Sequence, residues 1–410
     1  MPNSLVESVT IRSQVDEQFR RAGYGWTVII DRIETFQVAP RWLLVRIETD
    51  DGAIGWGEAS LEGHAESVQG AIDGYTDLLL GQDATRIEHL WQQMTRAGFY
   101  RGGPVFGSAV SGIDHALWDL KGKVLGVPVH ELLGGPVRDK VRVYGWIGGD
   151  DPSDVAAAIE TQLATGLTAV KMNASGATEH LGSLAETTAI LDRAGAAREV
   201  LGASGDFAID FHGRISPGYA RRLLPLLEEF HPLFVEEPVV PEMGLEVWEQ
   251  VVASTAVPIA TGERLYSRWD AMPVLRAGIS VLQPDLAHAG GISETRRIAT
   301  LAETYGVAIA PHCPLGPLAL AAALQVDFAS PNFLIQEQSL GIHYNAGSAE
   351  LTDYLLDVSV FTFADGYIHR PTGPGLGVQI DEAEVRRAAQ SPHRWRTPTW
   401  NRVDGSLAEW

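Results

Sequence analysis

The sequence holds one cysteine, Cys313, among 410 residues. No intramolecular disulfide can form, which suits a reducing compartment and makes the cytoplasm the expected location. Basic residues are few beside acidic ones, 31 against 52, giving a formal net charge of −21. A surface of that sign repels nucleic-acid phosphates and anionic lipid, so neither is an expected partner. No apolar run approaches the roughly 20 residues of a membrane span. The opening stretch MPNSLVESVTIRSQVDEQFRR lacks the continuous apolar segment of a secretory signal. Residues 1–26 therefore read as a polar extension ahead of a first strand near WTVIIDRIETF. Hydrophobic residues at 45% and charged residues at 20% exclude a disordered or fibrous chain. The length suffices for more than one domain.

The pattern changes near residue 140. Before it, WLLVRIETDDGAIGWGEAS gives two strand-like runs around a turn-prone DDG. Helical stretches such as SAVSGIDHALWDLKGKVLG follow, with apolar residues at helical spacing. Strands followed by helices predict a separate α+β domain over residues 27–140. After residue 140, short apolar runs alternate with helix-compatible segments. The runs are VRVYGWIGG, AVKMN, FAIDFHG, PLFVEEP, PIATGER, SVLQPDL, VAIAPHC and FLIQEQS. Asp210, Glu236, Glu263, Asp285, His312 and Glu337 end successive runs, at gaps of 26, 27, 22, 27 and 25 residues. One strand, one helix and two loops need about that much chain, and eight such units make a (β/α)8 barrel over residues 141–355. Functional side chains in that fold gather at the C-terminal ends of the strands.

Each residue suggests a chemistry. Asp210, Glu236 and Glu263 place three carboxylates around one point, where a hard divalent cation, Mg2+, relieves their repulsion. Glu237 points to the other face by strand alternation and reads as a supporting ion pair. Asp285 beside His312 makes a carboxylate–imidazole pair suited to a general base. His212, two positions after Asp210 and on the same side by alternation, suits a general acid. Lys171 can meet a substrate carboxylate, and Glu337, when protonated, can donate to developing negative charge. His64, His288 and His343 sit in loops without such a frame.

These motifs, with PRWLLVRIETDDG, GIDHALWDLKGKVLG, LFVEEP, GERLYSR, LQPDLAHAGGI, APHCPLGP and QEQSLGIHYN, resemble the enolase superfamily in its mandelate racemase group. The resemblance implies a modified TIM barrel, (β/α)8-type, with an α+β capping domain that residues 356–410 complete. It assigns Asp210, Glu236 and Glu263 to Mg2+, His312 with Asp285 to proton abstraction, His212 to leaving-group protonation and Glu337 to enolate stabilisation. Racemases of the group carry Lys-x-Lys on the second barrel strand. Here the triplet is Lys171, Met172, Asn173. Asn takes no proton, so these two residues read as substrate contacts and elimination is favoured over racemisation. The expected activity is dehydration of an acid sugar. The expected partners are that small molecule and further copies of the chain. A zinc hydrolase would want His-x-His on the first strand, which YGWIGG lacks.

Overall fold

The computed structural model describes residues 28–341 and 350–409. The polar extension and His343 lie outside them. Strands β1 (Ile30–Val38), β2 (Trp42–Thr49) and β3 (Ile54–Glu58) form an antiparallel sheet in that order. β2 is the central strand and is buried almost throughout. Helices α1 (Ala65–Leu79), α2 (Ile87–Arg96), α3 (Gly103–Leu125) and the short α4 (Val129–Leu132) follow. Two glycines of β3 let α3 lie directly on the sheet. A Cβ at Gly55 would stand 2.0 Å from Ala116 O, and one at Gly57 2.0 Å from Gly112 O.

The eight barrel strands come next: β4 (Lys140–Ile147), β5 (Ala169–Asn173), β6 (Asp206–Asp210), β7 (Phe234–Glu236), β8 (Ile259–Thr261), β9 (Val281–Leu282), β10 (Ala308–Ile309) and β11 (Gln336–Gln338). Neighbours pair in parallel from β4 through β10, and β11 returns to β4. Hydrogen bonds between Ile309 and the Asn332–Leu334 stretch close the ring. Between the strands run α5 (Pro152–Ala164), α6 (Leu184–Leu201), α7 (Pro217–Leu227), α8 (Leu245–Val252), α9 (Arg268–Ala277), α10 (Gly291–Thr304) and α11 (Pro317–Ala329). Tyr144, Phe234, Val281 and Ile335 fill the barrel interior together with alanines 169, 208, 260 and 310. That layer forms a solid floor beneath the mouth.

The chain then adds β12 (Phe363–Ala364), β13 (Tyr367–His369) and α12 (Glu382–Ala388). β13 pairs antiparallel with the first half of β4, so an otherwise parallel ring carries one mixed edge. Residues 394–402 run from the first domain to the barrel. Arg394 pairs with Glu66 at 3.0 Å, while Arg402 donates to Thr178 O at 3.2 Å.

Two carboxylates dock the first domain onto helix N-termini of the barrel, where free N–H groups and the helix dipole favour negative charge. Glu58 accepts from the N–H groups of Gly316, Leu318 and Ala319 at 2.8, 3.1 and 2.9 Å, at the start of α11. Asp114 of α3 accepts from the Ser293 N–H at 3.0 Å and its hydroxyl at 2.5 Å, in the first turn of α10. Asp114→Ala strands both buried donors of Ser293, a loss of about 1–3 kcal/mol. Thermal melting is expected to shift down by several degrees while the far-ultraviolet circular dichroism spectrum of the folded state is unchanged.

Candidate active site

Short strands deliver the site residues in two ways. Lys171 and Glu337 lie inside β5 and β11, and Asp210 and Glu236 are the last residues of β6 and β7. Glu263, Asp285 and His312 stand two or three residues beyond their strands, on the loops that follow. The alternation expected to bring His212 beside Asp210 does not operate, because β6 stops at Asp210. His212 instead adopts φ +49°, and its N–H bonds back to Asp210 Oδ1 at 2.8 Å. This turn, a strained one for a non-glycine residue, brings Nε2 to 3.1 Å from Asp210 Oδ2.

Lys171 is the buried hub. Its ammonium lies 2.9 Å from Glu236, 3.0 Å from Glu337 and 3.6 Å from Asp210. Burial opposes that charge, but Glu236, Glu337 and Asp210 outweigh it and hold the ammonium protonated well above its usual range. Burial and the nearby Asp210 push Glu236 up well above the carboxylate range, against the pull of Lys171. One cation therefore does not neutralise this cluster. Gln283 donates to Glu236 Oε2 at 2.8 Å. Sequence reasoning missed it, although it stands two residues before Asp285 in LQPDL, where alternation would have placed it on the same side.

His312 and Asp285 meet as expected, with Nδ1 2.7 Å from Asp285 Oδ2. The other ring nitrogen lies 3.1 Å from Glu263. Burial lowers the basicity of His312, but Glu263, Glu337 and Asp285 overcome it and raise its pKa well above the ordinary value. Burial likewise opposes ionisation of Glu263, yet His312, His212, Arg264 and Lys171 bring its carboxyl down to about 2. For His212 burial prevails over Asp210 and Glu263, and its pKa falls. Asp210, His212 and Glu263 each offer an atom within 4.8 Å of the others, a grouping fit for a cation. Asp210 Oδ2 is buried and accepts no hydrogen bond of good geometry. The carboxylates of this grouping, Asp210 and Glu263, and the surplus of negative charge fit a hard divalent ion, while Glu236 lies outside the grouping with its oxygens on Lys171 and Gln283.

Glu237 lies past the end of β7 with φ +36°, so strand alternation does not place it, but it does form the supporting ion pair. It pairs with Arg264 at 2.5 Å and accepts from Thr261 Oγ1 at 3.1 Å. Asn173 ends β5 beside Asp210 in register, and its Oδ1 is buried without a hydrogen bond.

Residues 154–384 match the family described as enolase C-terminal domain-like, and residues 32–134 match the mandelate racemase / muconate lactonizing enzyme N-terminal domain. The chain belongs to the enolase superfamily. Among its curated superfamily relatives is the D-galactonate dehydratase of Ralstonia pickettii (strain 12J), 51% identical over 93% of this chain and 100% of the relative. That of Variovorax paradoxus (strain S110) is 50% identical over the same shares. An enolase from Agrobacterium radiobacter, crystallised with Na and L-malate, superposes with a TM-score of 0.85 at 35% identity, covering 93% of this chain and 99% of that one. The superfamily fold, a TIM barrel with a capping domain, is the fold seen here.

Proposed function

We propose that this enzyme is a Mg2+-dependent D-galactonate dehydratase that forms 2-keto-3-deoxy-D-galactonate and water. The single observation that carries the reading is the convergence of His212 and His312 on Glu263. They stand on the loops after the third and seventh of eight barrel strands, so they approach from across the mouth. A base on one side and an acid on the other suit removal of an α-proton followed by loss of a β-hydroxyl.

Mg2+ held by Asp210, Glu236 and Glu263 would supply positive charge for the substrate carboxylate and for the enediolate formed from it. His312 presents Nε2, the ring nitrogen that Asp285 does not hold, on the side of Glu263. His312 then removes the hydrogen from C2, oriented by Asp285. Lys171, and Glu337 when protonated, stabilise the oxyanion that develops. His212 gives its proton to the hydroxyl leaving C3, and water departs. The resulting enol tautomerises to the 2-keto-3-deoxy acid. Asn173 offers its buried Oδ1 to a substrate hydroxyl and, having no proton to exchange, supplies no second base. A racemase on this frame is disfavoured for that reason.

A panel of aldonates and aldarates, assayed for 2-keto-3-deoxy product, is expected to give the highest kcat/KM with D-galactonate. A better substrate in the panel would replace the substrate name and leave the chemistry in place. No product from any acid sugar would end the dehydratase reading.

A further inference from the structure

The reaction as described leaves His288 without a role, yet its ring lies against the proton-abstracting pair. His288 Nδ1 is 3.4 Å from Asp285 Oδ2, the same oxygen that holds His312 Nδ1 at 2.7 Å. The two imidazoles stand with centroids 6.5 Å apart. The far nitrogen of His288, Nε2, lies 3.0 Å from the carbonyl oxygen of Ser60. A carbonyl oxygen only accepts, so Nε2 carries a proton and donates. Nδ1 faces the same carboxylate oxygen that holds His312, so the ring stands between Asp285 and the Ser60 carbonyl. An ion bridging the three side chains does not suit this geometry. The 2.7 Å contact is a hydrogen-bond length, whereas two ligands of a tetrahedral zinc stand about 3.4 Å apart.

The contact at Ser60 reaches into the first domain's docking apparatus. Ser60 Oγ donates to Glu58 Oε1 at 2.7 Å and accepts from the Leu43 N–H at 3.0 Å. Glu58 in turn sits on the N-terminus of α11. A second path returns to the pair from the other side. Glu62 lies 3.9 Å from His288 Nε2 and 3.6 Å from Arg41 Nη1. Arg41 Nη2 donates to Pro314 O at 3.0 Å, two residues beyond His312. Both loops that carry base residues are thereby joined to loops of the capping domain, one through His288 and one through Arg41.

We propose that His288 is a positioning residue of the proton-abstracting pair, pinning the Asp285 oxygen that orients His312 and fixing it to the Ser60 carbonyl of the cap. The proposal rests on the dehydratase reading. Losing a partner that orients a reacting group reduces activity by about 10–100-fold, and a small misplacement of a base weakens the chemical step more than binding.

Two amides separate the two ends of the ring. His288→Asn places a donor where Nδ1 stands and keeps the contact to Asp285. His288→Gln places one where Nε2 stands and keeps the contact to Ser60. With the wild-type substrate and Mg2+, His288→Gln is expected to lower kcat about 10–100-fold with KM changed less than about threefold. His288→Asn is expected to recover most of that loss while melting at a lower temperature. Exchange of the C2 hydrogen in heavy water should fall in parallel with kcat, since the same proton transfer is impaired. In an Asp285→Asn background, adding His288→Gln should change nothing further, because the two act through one carboxylate. A wild-type kcat in His288→Gln, equal losses in both amides, or additive losses in the double variant would each overturn the proposal. If His288→Gln fails to fold, His288→Asn decides alone: a retained rate supports it, and a lost rate at an unchanged melting temperature overturns it. A wild-type protein inactive on every acid sugar would instead remove the reading beneath it.

Discussion

His312→Asn is expected to eliminate both dehydration and exchange of the C2 hydrogen, whereas His212→Asn is expected to eliminate dehydration alone. A general base contributes about 10²–10⁴-fold. Two residues beyond Lys171 stands Asn173, which takes no proton and cannot replace it. In His212→Asn the base is intact but the leaving hydroxyl has no proton donor. The enediolate then returns to substrate. The proton it receives comes from His312, whose side chain is 12% exposed. Deuterium should accumulate at C2 of recovered substrate with retained configuration, read by mass spectrometry and nuclear magnetic resonance. Label in the His312→Asn reaction and none in His212→Asn would reverse the assignment of acid and base.

Removal of the metal is expected to stop turnover completely and reversibly. Lys171 already serves Asp210, Glu236 and Glu337, while His312 and Arg264 stand against Glu263. The cations of the site are thus already matched to its carboxylates, and an enediolate adds a second negative charge. Chelation should abolish activity and added Mg2+ restore it. Glu236→Gln keeps the shape and the Gln283 contact within reach but removes one anionic ligand. It should bind Mg2+ more weakly by calorimetry and lose more than about 100-fold in kcat, beyond what loss of a merely supporting residue costs. Glutamine is close to glutamate in size and shape, so the variant should still fold. Full activity after exhaustive chelation would refute the metal assignment.

Much of this site was legible because a barrel converts spacing into position. Six polar residues at near-constant intervals needed no knowledge of contacts to be placed around one mouth. The nature of the approach was less legible. His212 reaches Asp210 through a left-handed turn, and nothing in FAIDFHG marks where the strand ends and that turn begins. In the sequence His288 reads as a loop histidine because its partners, Asp285 and the Ser60 carbonyl, involve a loop turn and a backbone atom. Spacing carries no trace of either. Lys171 showed a different gap, since whether it was a surface residue or the hub of the cluster depended on burial alone. Glu58 and Asp114 sit in ordinary strand and helix patterns, and their pairing with α11 and α10 exists only in three dimensions.

The double use of β4 has a bearing on how the chain is made. Its second half bonds to β11, while its first half waits for β13, with Tyr367 opposite Arg142 and 225 residues later in the chain. On a ribosome, the first barrel strand emerges long before either partner exists. Closing so long a loop is slow, and an unpaired strand edge meanwhile invites pairing with other chains. Strands β5 to β10 can each pair with the strand made just before them, but the ring cannot close in step with translation. Its seam is sewn only after the segment through His369 has left the exit tunnel.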